Sequence, residues 1–127
     1  MIPNDSIIID NLNKELERLE NFSEMIGSAI VNRNGLLISS RFPRDIDDRK
    51  LSALTATMFE AIETASSSLK NNQIKNITIE YQDYQLITVG INENIILVSL
   101  FDLNVNLGLA FIEIEESIRN IKKVISK

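Results

Sequence analysis

Ile8, Leu12, Leu16 and Leu19 recur at helical spacing near the start of the chain. One apolar stripe of this kind predicts an amphipathic helix over about residues 5–21. Asp5 or Ser6 can cap its first turn. Glu15, Glu17, Arg18 and Glu20 fall off the stripe and read as a solvated face. Phe22 is expected to close the helix end against the core.

The period then changes. Residues 25–31 are short and apolar, Asn34-Gly35 follows, and residues 36–40 return. Asn-Gly is a strong two-residue hairpin signal, because both turn positions favour positive φ. Gly27 inside the first strand marks a bulge or a close backbone approach. A polar loop over 41–48 contains Pro43. A second helix is predicted over about 49–69. Its main stripe is Leu51, Leu54, Met58, Ile62, Ala65 and Leu69, and a second flank carries Ser52, Thr55, Phe59, Glu63 and Ser66.

Three strands are predicted over about 74–81, 84–91 and 95–101, joined at Gln82-Asp83 and Asn92-Glu93-Asn94. In the last two strands apolar residues occupy both parities, so both faces must be covered. Phe111, Ile114, Ile118, Ile121 and Ile125 stripe a final helix over about 106–126. Glu113, Glu115 and Glu116 near its start and Lys122, Lys123 and Lys127 near its end suit the helix dipole. The order helix, two strands, helix, three strands, helix, with hairpin-length turns, gives an α+β class with a mostly antiparallel sheet in three layers.

Composition narrows the chemistry. The chain has 127 residues, a single-domain length, and neither Cys nor His. Disulfides, Cys/His metal sites and Ser-His or Cys-His nucleophilic pairs are excluded. The net charge of -5 disfavours nucleic acid as a partner, since affinity there comes from neutralised phosphates. The longest apolar run, from Ile95 to Phe101, is too short to span a bilayer. The residues at the start lack a signal-peptide pattern and no lipidation motif appears, so a cytoplasmic location without membrane insertion is expected.

The polar clusters read as structural. Counted as a calcium loop from Asp45, position six is Lys50 and position twelve is Ala56, where Gly and Glu are required. Asp45, Asp47 and Asp48 therefore read as caps for the second helix, and no metal is expected. The four glycines are scattered and form no phosphate-binding loop, so no nucleotide or other cofactor is expected.

Several segments together resemble the Roadblock family, the dynein light-chain type of regulatory domain. They are Gly27-Ser28-Ala29, the run Asn32-Arg33-Asn34-Gly35-Leu36-Leu37-Ile38-Ser39-Ser40, Ala53-Leu54-Thr55-Ala56, and Asn106-Leu107-Gly108-Leu109. The resemblance spans nearly the whole chain as one domain, although the second helix is less alanine-rich than in many members. It implies a five-stranded antiparallel sheet with the second helix on one face and the first and last helices on the other. It also implies homo- or heterodimers paired through the second helix and third strand. It implies a non-enzymatic scaffold or regulator of a Ras-like small GTPase, or a subunit of a motor or membrane complex.

Two features single out interface candidates. Phe59 lies about 100° round from the centre of the main stripe. We therefore assign it, with Ser52, Thr55, Glu63 and Ser66, to a helix pair rather than to the core. Ile77, Thr78 and Ile79 are β-prone, uncharged and free of Pro, so nothing protects the third strand as an edge. A profilin-like or PAS-like ligand sensor is the alternative; it requires a polar-lined pocket, whereas the expected walls are aliphatic. No motif supports an enzyme.

Overall fold

The computed structural model describes residues 5–70 and 74–126. Residues 1–4, read above for a signal peptide, and Lys127 at the basic helix end lie outside the described residues. The elements run α1 (Ser6–Glu20), β1 (Met25–Asn32), β2 (Leu37–Arg41), α2 (Asp48–Ala65), a 3-10 turn (Ser66–Ser68), β3 (Asn76–Glu80), β4 (Tyr84–Gly90), β5 (Ile95–Asp102) and α3 (Leu107–Ile125). Each helix starts at a side-chain cap, which satisfies a backbone N–H the helix itself cannot. Asp5 accepts from the Ile7 amide at 2.7 Å, Asp47 from Lys50 at 3.0 Å and Asn106 from Leu109 at 3.1 Å.

The strands form one sheet in the order β2-β1-β5-β4-β3, with every neighbouring pair antiparallel. The strands with apolar residues at both parities sit inside the sheet, and helices cover both faces. On one face Leu12 and Leu16 of α1 and Ala110, Ile114 and Ile121 of α3 meet Ile30, Ile87, Leu97 and Phe101. On the other, Ala56 and Phe59 of α2 meet Ala29, Val31, Ile96 and Val98. This is the expected α+β, three-layer arrangement. Phe22 closes the α1 end as expected, edge-on to Phe101 with ring centroids 5.9 Å apart.

Local chemistry explains two irregularities. The β1–β2 connection is a three-residue loop, not the expected two-residue turn. The Gly35 amide bonds the Asn32 carbonyl at 2.8 Å, the Asn32 amide bonds the Leu36 carbonyl at 2.8 Å, and Gly35 has φ +91°. A turn closed by a left-handed glycine is the favoured three-residue solution. The β1–β5 register shifts between Met25 and Gly27. A Cβ at Gly27 would stand 2.3 Å from Phe42 Cδ1 and 2.8 Å from the Arg41 carbonyl oxygen, so bulge and close approach coincide.

Glu15 corrects the reading of a wholly solvated α1 face. It is buried and accepts from Ser117 Oγ at 2.8 Å, Arg18 Nε at 2.9 Å and Asn120 Nδ2 at 3.1 Å. Arg18 also binds Glu113 at 3.2 Å. The hydrogen bond to Glu15 is the largest of several influences that raise the Arg18 pKa above its usual value. Burial of a carboxylate is tolerated here because its oxygens are bonded. The network joins α1 to α3 in antiparallel orientation.

Candidate interaction surface

Helix α2 has two faces of different composition, and the structure presents them in the opposite sense to the expected one. Ser52, Thr55, Ala56 and Phe59 are buried against the sheet. Leu54 is 61% exposed, Ile62 43% and Leu69 63%, while Leu51 and Met58 are half-buried. The small residues go down because they let the helix approach the strands closely. Thr55 can be buried because its hydroxyl donates to the Leu51 carbonyl at 2.6 Å. The larger stripe is left outside. Periodicity shows that a face will be covered, but not by what.

The expectation for Phe59 is overturned: the ring is 1% exposed and belongs to the core, so it is not available to a partner. It is held from above by Arg33, whose guanidinium carbon lies 4.9 Å from the ring centroid. Arg33 Nη1 also binds Glu63 Oε1 at 2.5 Å. Its Nε and Nη2 donate to the Asn92 carbonyl at 3.2 and 2.9 Å. Gly90 makes room beneath. A Cβ there would stand 3.1 Å from Arg33 Nη2 and 3.5 Å from Phe59 Cζ. Ser52 and Thr55 are likewise used inside the chain, and Glu63 is engaged by Arg33. Ser66, at the start of the 3-10 turn, stays half-buried.

Strand β3 is an edge, and its register with β4 runs without interruption from Asn76 to Glu80. Ile77 and Ile79 are half-buried on the α2 side, while Thr78 is exposed. The other edge, β2, differs. Its register with β1 skips Ile38, a bulge that blunts strand addition. Helix α2 packs on β1, β2 and β5. One flank of α2, with Thr57, Glu60 and Thr64, adjoins Arg33 and Asn34 of the β1–β2 loop. By helical geometry the Leu54–Met58–Ile62 stripe lies about 100° round α2 from that flank.

Sequence reasoning did not find Arg33 as a clamp, since its partners are 30 and 59 residues away. Nor did it place Leu54, Met58 and Ile62 on the outside. An open cleft of about 850 Å³ lies between the end of α2 and the β4–β5 turn, lined by Asn32, Glu60, Glu63, Lys75 and Asn92 among others. Arg33 in it is already bound to Glu63 and Asn92. Among the described residues no cluster of carboxylates could hold a metal ion, and no helix is long and apolar enough to cross a membrane.

The fold is a three-layer sandwich in which α2 buries its small-residue face, keeps an apolar outer flank, and shares its sheet face with a straight edge strand. Comparison with known proteins identifies the family. The Roadblock/LC7 domain matches residues 12–101, and the chain belongs to that family. It is 31% identical over 115 residues to the uncharacterized protein MJ0714 of Methanocaldococcus jannaschii, covering 91% of this chain and 94% of that protein. The fold is shared with Myxococcus xanthus MglB, with a TM-score of 0.90, 24% identity and coverage of 99% and 95%. It is shared also with a Roadblock/LC7 domain from Streptomyces avermitilis, at a TM-score of 0.83, 10% identity and coverage of 91% and 98%.

Proposed function

We propose that this chain is a non-enzymatic module that pairs with a second copy or a related Roadblock chain and acts as a scaffold or regulator of a Ras-like small GTPase in the cytoplasm. The observation that carries the reading is the exposed apolar flank of α2, on the same sheet face as Ile77 and Ile79 of the unprotected β3 edge. Leu54, Met58 and Ile62 form one ridge at helical spacing. Burying that ridge against a second α2 removes apolar surface from water, at about 25 cal/mol per Å². The uncovered floor at Ile77 and Ile79 gives a partner helix a seat. The straight register of β3, with Thr78 on its free face, suits pairing with a partner strand. An isologous pair would use each of these residues twice.

The interface of this proposal is therefore Leu54, Met58 and Ile62 of α2 with Ile77, Thr78 and Ile79 of β3, not Phe59. GTPase regulation rests on family membership. The chain carries no glycine-rich phosphate loop of its own, so nucleotide is expected on the partner. Light scattering tests the pairing: wild type is expected near twice the 14.4 kDa chain mass. The double variant Leu54→Asp/Ile62→Asp is expected at the single-chain mass. A wild-type monomer at micromolar concentration would sink this part. Affinity capture from native lysate with GTP or GDP added, read by mass spectrometry, tests the GTPase. Absence of any small GTPase under both nucleotides would remove that half of the reading.

A further inference from the structure

Strand β3 reads Asn76-Ile77-Thr78-Ile79-Glu80, polar and isoleucine positions alternating in the same order in either direction about Thr78. Ile77 and Ile79 face the α2 side of the sheet, and Asn76, Thr78 and Glu80 are exposed on the other. The backbone alternates in the same step. The Tyr81 amide donates to the carbonyl of Tyr84, directly across the hairpin, at 2.7 Å. Inward bonding therefore continues at Ile79 and Ile77, opposite Leu86 and Thr88, and the N–H and C=O groups of Asn76, Thr78 and Glu80 point to the free edge.

A strand joins a second copy of itself across a two-fold axis only if it complements its own reverse. Strand β3 does so when Thr78 stands on the axis. Thr78 then faces the partner's Thr78, and Asn76 faces the partner's Glu80, so every outward backbone group of the strand is bonded. Ile77 and the partner's Ile79 meet as an apolar pair on the α2 side. On the other side two threonine hydroxyls meet at the axis, and an amide donor meets a carboxylate. Asn76 Oδ1 already accepts from Thr78 Oγ1 at 3.1 Å, so its Nδ2 is the end left for the partner's Glu80. A slip by one residue turns the isoleucines of the two copies to opposite faces. A slip by two leaves the edge groups of Asn76 or Glu80 without a strand partner, and a slip by four towards the end of β3 sets two Glu80 carboxylates face to face.

We propose that β3 pairs antiparallel with β3 of a second copy of this chain, in the register that sets Thr78 on the two-fold axis. This register rests on the pairing proposed above and names the partner: this chain itself rather than a related one. A related chain fits β3 only if it carries a run that matches this one in reverse, whereas a second copy carries it by construction. The other edge, β2, has no such symmetry. It reads Leu37-Ile38-Ser39-Ser40-Arg41 and is broken by its bulge.

The chain has no cysteine, so single cysteines report the register. A hydrogen-bonded cross-strand pair has Cα atoms about 5.5 Å apart, within disulfide reach. Under a mild oxidant, purified Thr78→Cys is expected to run as a disulfide-linked dimer on a non-reducing gel. Asn76→Cys or Glu80→Cys alone is expected to cross-link at least about tenfold more slowly, because like positions then stand about 14 Å apart. The two variants co-expressed are expected to cross-link to each other as Thr78→Cys does to itself. All three positions are exposed, and circular dichroism checks that the variants are folded. Light scattering of the wild type, read beside the gel, separates register from pairing. A wild-type dimer in which Asn76→Cys or Glu80→Cys alone links as fast as Thr78→Cys overturns the register and leaves the pairing in place. A wild-type dimer with no link at Thr78→Cys does the same. A wild-type chain that is monomeric by itself and pairs only when a related chain is added overturns the choice of partner.

Discussion

The guanidinium of Arg33 lies over the ring of Phe59, 4.9 Å from its centroid, while its Nη1 grips Glu63 one turn further along α2. One side chain of the β1–β2 loop thus holds two successive turns of the helix, and through the Asn92 carbonyl ties them to the β4–β5 turn. Arg33→Ala is expected to lower the unfolding free energy by about 1–2 kcal/mol, the size of a partly desolvated cation–π contact with its hydrogen bonds. Phe59→Ala is expected to cost about 3–5 kcal/mol, and Phe59→Asp to prevent folding. Urea titration followed by circular dichroism checks the order. A folded, stable Phe59→Asp protein would contradict the core placement.

Leu54→Asp is expected to behave differently. The residue is outside the chain's own core, so unfolding of the variant should stay within about 0.5 kcal/mol of the wild-type monomer. If α2 pairs, the wild-type melting temperature rises with protein concentration, because association favours the folded state by mass action. The variant's melting temperature should be independent of concentration. A melting series over a hundred-fold dilution reads this directly.

Glu15→Ala is expected to loosen α1 from α3. Three donors lose their acceptor: Ser117 Oγ, Arg18 Nε and Asn120 Nδ2. Ser117 is fully buried, so its hydroxyl cannot turn to water. The cost is expected at about 2–3 kcal/mol. Hydrogen exchange should show lost protection in α1 before the sheet opens. Uniform loss across the whole chain would argue against a local staple.

Glu116 gives a pH signature. Its hydrogen bond from Arg119 holds its pKa below the usual carboxylate value. A folded pKa below the unfolded one favours the folded state at pH above the unfolded value. That preference is lost as pH falls through the folded pKa. Carboxyl NMR should show Glu116 titrating below an ordinary surface glutamate. Arg119→Gln should return it upwards, with little change in stability because the pair is exposed.

Much of the architecture was legible from pattern. The stripes Leu12–Leu16–Leu19 and Ile114–Ile121 face the sheet as their spacing requires. The doubled apolar parity of β5 marks a strand covered on both faces. The proposed association surface was only half legible. The uncharged, Pro-free run of β3 showed that nothing protects it as an edge, and the strand order places it there, whereas α2 was turned about its axis. A stripe of Leu, Met and Ile and a flank of Ser, Thr and Phe both satisfy a helical period. Choosing between them depends on how closely the helix can approach Ala29, Val31 and Val98.

What the sequence determined by itself was therefore the set of elements, their order and the need for cover on both sheet faces, because these follow from local period and from capping chemistry. Tertiary structure alone decided three things: which face of α2 goes inward, that Glu15 is buried among Ser117 and Asn120, and that Arg33 closes over Phe59. Each depends on groups brought within a few ångströms from positions distant along the chain. Whether a polar or small side chain can be buried is settled by the partner waiting there, and no local pattern of residues carries that partner's position.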